Sequence, residues 1–307
     1  MSDKLQKVLF QQADARGEFV ELDDAWQTML AHHSYPAPVV KLLGEMAAAA
    51  ILLSGNIKFE GATVMQIHGD GPIRLLVVEC DNNMRIRATA KLNDDMKIED
   101  SANLADLINA HGKGRFIITL DPHEKIPGQR PYQGIVSLQG NSIPEIIENY
   151  MQHSEQLDTH VWLAADSLRV CGVLLQRMPA QRDERGVDII KEGAEDAWHN
   201  IVALSSTLKQ DEMLSTDIDT LRHRLFWEED LLVFDPLHPT FHCGCSREKV
   251  GNMLKMLGEA EVSSALQAQE TLTINCDYCG KSYTFDQIDC AALFKTSGTP
   301  DVTETRQ

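Results

Sequence analysis

The 307-residue sequence predicts an α+β protein with three parts. These are an N-terminal antiparallel-sheet domain with helices, a helical linker, and a small C-terminal module built to bind zinc. Three observations carry the prediction. Runs of β-branched residues separated by short turns crowd residues 1–179, and short turns favour antiparallel pairing over βαβ crossovers. A charge run followed by apolar residues at alternating steps of four and three marks residues 180–230. Four of the seven cysteines lie in two close pairs, Cys243-Gly244-Cys245 and Cys276-Asp277-Tyr278-Cys279, inside a module expected over 231–295.

In the N-terminal α/β core, Asp23 or Asp24 can cap a short helix reaching about His32. Pro36 and Pro38 open a long apolar helix that Gly55 ends. Thr63–His68 and Ile73–Cys80 read as strands joined by the turn Gly69-Asp70-Gly71-Pro72. After Asp81-Asn82-Asn83, the stretch Met84–Leu92 alternates Arg85 and Arg87 against Ile86 and Ala88, and Phe116–Leu120 and Gly134–Leu138 continue the strand pattern. Ser142 caps a helix from Ile143 to about Gln156, with Glu145 in its first turn. His160–Ala164 and Leu168–Gln176 are the last strands before Pro179.

The linker begins with the solvated charges of Gln181-Arg182-Asp183-Glu184-Arg185-Gly186. Ile190, Ala194, Ala197, Ile201, Leu204 and Leu208 then form one apolar stripe, flanked by Trp198. An amphipathic helix of this length is marginal alone in water and must bury its stripe. A second helix over Thr216–Glu229 carries Leu221, Leu225 and Phe226. In the C-terminal module, Pro236 and Pro239 mark an entry loop, Ser246 caps a helix over Arg247–Leu257, and Gly258 ends it. Glu270–Asn275 and Lys281–Phe285 form strands around the turn Cys276–Gly280, and Cys290 sits in a short helical segment with no assigned role. Residues 296–307 are polar and expected to be disordered.

Composition narrows the function. The net charge of -18, with 46 acidic and 28 basic side chains, repels phosphate backbones. Aromatics are 6% of the chain, too few for base-stacking platforms. Within 231–295 the fixed cations are Arg247, Lys249, Lys255, Lys281 and Lys295, which make no basic stripe, so nucleic acid is not an expected partner. No secretory signal pattern opens the chain. The apolar stretch from Pro38 to Ser54 is interrupted by Lys41 and Glu45, and Met46–Leu53 is shorter than the ~20 residues a bilayer needs. A buried core helix, no membrane partner and a cytoplasmic location are the expectations, and reduced thiols in close pairs then indicate metal or redox work.

Four thiolates, Cys243, Cys245, Cys276 and Cys279, complete a tetrahedral Zn²⁺ shell and leave no position for a reactive water, which disfavours a hydrolytic centre. His238 or His242 could replace one sulfur, but four suffice. A permanently reduced structural clip is the simplest reading of the spacing. A dithiol oxidoreductase is the weaker one, because Cys276 and Cys279 join two strands rather than a strand and a helix. A module this small leans on its metal, since structural zinc contributes roughly 10–16 kcal/mol of apparent binding free energy in small modules. Oxidising the thiols would remove the ligands and melt it. Cys80 and Cys171 lie in apolar strands and read as inert core residues.

Several stretches make the chain resemble the redox-regulated heat-shock chaperones of the thirty-three-kilodalton family. They are Gly69-Asp70-Gly71-Pro72, Tyr132-Gln133-Gly134-Ile135-Val136, Ser154-Glu155-Gln156 and Leu174-Leu175-Gln176-Arg177-Met178-Pro179. The most specific are Phe241-His242-Cys243-Gly244-Cys245-Ser246-Arg247-Glu248 and Cys276-Asp277-Tyr278-Cys279-Gly280. Cys171-Gly172 departs from the family pattern of two glycines and adds a core thiol. The resemblance implies a non-enzymatic holdase that binds unfolding client proteins without ATP, inactive when reduced and holding one Zn²⁺. It further implies disulfides Cys243–Cys245 and Cys276–Cys279 in the oxidised form, loss of zinc, unfolding of the module and linker, and a homodimer when active. No P-loop pattern occurs, in keeping with ATP independence. The stripe Ile190, Ala194, Ala197, Trp198, Ile201, Leu204 and Leu208 is the candidate client-binding surface, and the net negative charge would keep its exposed form soluble.

Overall fold

The computed structural model describes residues 3–56, 60–123, 131–179, 181–182, 188–189 and 191–295. The expectations placed on Ile190, on most of the charge run and on the 296–307 tail fall outside these residues. By its internal contacts the chain divides into two compact units, Met1–His242 and Cys243–Gln307.

The first unit opens with a hairpin of β1 (Lys4–Phe10) and β2 (Ala15–Leu22), followed by α1 (Asp24–Leu30) and the long α2 (Ala37–Ser54). A meander of β3 (Gly61–His68), β4 (Ile73–Asp81) and β5 (Arg85–Leu92) comes next, then α3 (Leu104–Ile108), β6 (Arg115–Pro122) and β7 (Tyr132–Ser137). Helix α4 (Ile143–Tyr150) runs into a π-helical turn, Met151–Glu155, before β8 (Thr159–Ala165) and β9 (Val170–Arg177). The small pair β10 (Gln181–Arg182) and β11 (Asp188–Ile189) leads to α5 (Ala194–Ser205), α6 (Gln210–Ser215) and α7 (Ile218–Phe226). Two short strands, β12 (Leu231–Val233) and β13 (Thr240–Phe241), close the unit.

Two sheets result, in the orders β12-β1-β2-β9-β8 and β13-β5-β4-β3-β6-β7. Their pairings are antiparallel except β13 beside β5. Helix α2 packs against strands of both sheets. It is apolar enough to cross a bilayer by length and composition, but 78% of it is buried inside the protein. Gly44 allows the close approach: a Cβ there would lie 2.5 Å from the Ala165 Cβ and 2.9 Å from Val170 Cγ2. Period-two alternation sorts the five-stranded sheet onto two cores. Val20, Leu22, Val170 and Leu174 join the α2 core. Phe19, Cys171, Val173 and Leu175 join a second core with Trp198, Ile201, Met213, Leu221 and Phe226 of α5–α7.

Several expectations are corrected here. The hairpin β1–β2 was not expected, because Lys4, Lys7, Arg16, Glu18 and Glu21 break the apolar alternation that announces a strand. Asp23 does not cap α1 with its own side chain. The Asp3 carboxylate accepts from the Asp23 and Ala25 amides at 2.7 and 2.8 Å, while Asp23 receives the Arg169 guanidinium. The sequence expects the small module at 231–295, yet β12 pairs with β1 and β13 with β5, so residues 231–242 belong to the first unit. The stripe was read as one helix through Leu208, but α5 stops at Ser205 and a separate α6 follows.

The second unit contains α8 (Arg247–Leu257), α9 (Glu259–Ala268), the antiparallel pair β14 (Leu272–Asn275) and β15 (Ser282–Phe285), and α10 (Gln287–Lys295). Ser246 caps α8 as expected, its hydroxyl accepting from the Lys249 amide at 3.2 Å, and Gly258 follows the helix at φ +97°. Leu254, Val262, Leu266, Tyr283, Phe285 and Cys290 form its whole buried core among the described residues. Cys290, left without a role by the sequence, is a packing residue here.

Candidate metal centre

The two cysteine pairs stand on different kinds of support. Cys243 and Cys245 precede the Ser246-capped helix α8, and the Lys249 ammonium holds their loop through the Gly244 carbonyl at 2.8 Å. Cys276 and Cys279 ride the turn between β14 and β15. The Cys276 amide donates to the Lys281 carbonyl and the Gly280 amide to the Cys276 carbonyl, both at 2.9 Å. Gly280 sits at φ +67°, a left-handed conformation that glycine adopts without strain. Arg247 braces the strand from the α8 side, donating to the Thr284 carbonyl at 2.7 Å and to Asp289 at 2.6 Å while lying 4.2 Å over the Phe285 ring.

The four sulfurs all lie within 4.8 Å of one another. The short contacts run between the two pairs: Cys243 to Cys276 at 3.6 Å and Cys245 to Cys279 at 3.5 Å. A tetrahedral ion with Zn–S bonds of ~2.3 Å places its sulfurs about 3.8 Å apart, close to the two short contacts, so this donor set is compatible with zinc. His238 and His242 do not join the group. The His238 Nδ1 lies 3.1 Å from the Asp3 carbonyl oxygen, and the His242 amide donates to the Ile86 carbonyl. Cys80, Cys171 and Cys290 are buried, and burial pushes the Cys80 and Cys171 thiols up to about 12.

The sequence reading missed Tyr283, whose hydroxyl donates to Cys245 Sγ at 3.0 Å. The alternation of β15, with Tyr283 and Phe285 inward, is the signal that could have found it. The thiols do not ionise evenly without a metal. Against the upward push of burial, the Tyr283 hydroxyl and the neighbouring thiols bring Cys245 down to about 7. Burial and the neighbouring thiols hold Cys279 up to about 12, and burial raises Cys243 as well. A cation at the centre would supply the positive charge that four clustered thiolates require.

Of the stripe residues, Ala194, Trp198 and Ile201 are buried, and Ala197, Leu204 and Leu208 pack partly buried against the same core. The Trp198 indole donates to Asp158 at 2.9 Å, and Arg177 pairs with Glu195 at 2.5 Å. The stripe and the cysteines therefore lie in different units of the protein.

Comparison with known proteins places the chain among relatives. The family profile described as Hsp33 protein matches residues 3–286. A 33 kDa chaperonin of Methylobacillus flagellatus is 45% identical over 297 residues, covering 96% of each chain. One from Chromobacterium violaceum is 43% identical, covering 95% of this chain and 94% of its own, and one from Pseudomonas aeruginosa is 40% identical, covering 99% of both. The crystal structure of the 33 kDa chaperonin from Thermotoga maritima shares the fold with a TM-score of 0.76 at 19% identity, over 96% of this chain and 99% of its own. With a match along nearly its full length and relatives this similar across whole chains, this protein belongs to the Hsp33 family.

Proposed function

We propose that the chain is a redox-regulated, ATP-independent chaperone that holds unfolding proteins. In this reading it is dormant while Cys243, Cys245, Cys276 and Cys279 are reduced and bind one Zn²⁺. The observation that carries the reading is the contrast inside the second unit: six buried core residues stand beside four sulfurs drawn within 4.8 Å. A bound zinc ion would clip the two cysteine loops together where packing is too thin to do so.

Oxidation balances with peroxide as electron acceptor. Each pair of zinc-bound thiolates would give up two electrons, one S–S bond forms, and one peroxide, with two protons drawn from the solvent, becomes two waters. The pairing implied by the resemblance, Cys243–Cys245 and Cys276–Cys279, draws each loop's own sulfurs together. It also abandons the cross-loop contacts that now hold the loops side by side. With its donors consumed the ion is lost, and the second unit keeps only its small core. Chain continuity carries the effect onward: only His242 lies between β13 and Cys243, and β12 and β13 are the only elements between Cys243 and α7. Release of α5–α7 would expose Trp198, Ile201 and their stripe, together with Phe10, Phe19 and Val173 beneath them. Clients are unfolded polypeptides, the active form is a homodimer, and the location is cytoplasmic.

The test oxidises reduced protein with peroxide at raised temperature, then follows metal release, thiol count, disulfide mapping and suppression of client aggregation. The expected result is two disulfides within the sequence-local pairs, one metal freed per chain, and suppression that appears only after oxidation. Suppression that is the same before and after oxidation would overturn the redox reading and leave a permanent structural clip.

A further inference from the structure

Three of the stretches through which the chain resembles its family contain no cysteine and play no part in the thiol chemistry. They are Tyr132–Val136, Ser154–Gln156 and the segment from Leu174. The fold brings them together around one cavity of about 190 Å³ in the first unit.

The floor of this cavity is polar and organised. Gln176 is 1% exposed; its amide nitrogen donates to Thr159 Oγ1 at 2.7 Å and its amide oxygen accepts from Arg16. Arg16 is thereby held by one edge, and its buried Nε has no hydrogen-bond partner. On the same face of β2, burial pushes Glu18 up to about 8, against the smaller influences of Arg16, Lys7 and Asn56. The walls are apolar, including Leu53, Ile118, Leu120 and Leu174. The rim is exposed and built by the π-helical turn, where Glu155 accepts the Tyr132 hydroxyl at 3.3 Å and the Tyr150 hydroxyl at 3.1 Å. Gly134 makes room for that arrangement, since a Cβ there would lie 2.8 Å from the Tyr150 ring and hydroxyl. A half-buried guanidinium on the lining of a cavity with apolar walls suits an anion carried on an apolar body.

We propose that this cavity binds a small carboxylate with an apolar body, its carboxylate on Arg16 and its hydrocarbon against the leucine and isoleucine walls. The volume limits the ligand to about the size of benzoate or hexanoate, since a cavity of ~150 Å³ admits benzene. The site is independent of the thiols, and its test does not depend on chaperone activity.

The full reduced chain is titrated with benzoate and with hexanoate, followed by calorimetry and ligand-observed NMR. Benzyl alcohol and hexanol, of similar shape without the charge, serve as controls. The acids are expected to bind at least about tenfold more tightly than the alcohols, the worth of a charge-assisted hydrogen bond. Arg16→Gln should remove that preference, and Arg16→Lys should keep part of it. Leu120→Phe, which fills the cavity and leaves Arg16 in place, should abolish binding of acid and alcohol alike. Absence of binding by either acid at millimolar concentration overturns the proposal, as does equal affinity for acids and alcohols on the native chain. The native-chain comparison holds even if a variant fails to fold.

Discussion

The two units reach stability by opposite routes. The first wraps an apolar helix in two sheets, and its two cores draw on almost every element from β1 to α7. The second has three helices and two strands around six buried side chains among the described residues, with four sulfurs gathered within 4.8 Å. Packing density is spread over many contacts and changes gradually. A metal shell concentrates stability in a few bonds that a change of redox state removes together. The difference teaches that the second unit, with the thinner core and four gathered sulfurs, is the one a bound metal would stabilise most.

The largest expected effect comes from removing the metal under reducing conditions with a strong chelator. Amide exchange should show the second unit losing protection while α2 and its flanking strands keep theirs, with roughly 10–16 kcal/mol of apparent binding free energy withdrawn. Equal protection of both units before and after chelation would erase the contrast. Next, Ile51→Ala in the centre of α2, where the side chain is 0% exposed, should destabilise the first unit by about 2–5 kcal/mol. Metal content measured on the same sample should not change, because the cavity opens in the other unit.

A pH effect of a few kcal/mol is expected in the first unit from two buried carboxyls. Glu18 titrates near 8 when folded and near 4.5 otherwise, and Glu45, raised to about 7 chiefly by burial, acts in the same direction. Between these values the folded state binds more protons than the unfolded one, so stability is complete below about pH 4.5 and falls as pH rises through 8. Urea unfolding at pH 6 and pH 8.5 should show this decline, and Glu18→Gln should flatten it. The smallest effect belongs to the second unit: Ser246→Ala removes the α8 cap for about 1 kcal/mol. Because folding and metal binding are linked there, the readout is a metal affinity weakened by about fivefold.

Much of the second unit was legible beforehand because its signals are local. Ser246, Gly258 and Gly280 act on their own backbone within a few residues, and thiol spacing constrains where sulfur can point. The meander β3–β5 was legible for the same reason, through its turn residues. Helix α9 and Tyr283 escaped notice because their roles depend on what lies opposite them. In the first unit, Asp3 caps a helix twenty residues away, and Glu18 and Glu21 are buried in a strand whose charges argue against burial.

Taken alone, the amino-acid order determined the four cysteines of the candidate metal centre, the long core helix, the turns between strands and the existence of a hidden apolar stripe, because each follows from chemistry within a few residues. Tertiary structure decided the rest. It placed the boundary at Cys243 through two short strands that pair with β1 and β5, and it set Cys171 facing α5–α7 rather than α2. It also brought Arg16, Gln176, Tyr132 and Glu155 around one cavity. Such outcomes depend on which face of a strand meets which neighbour, and that is settled only when distant segments compete to be buried.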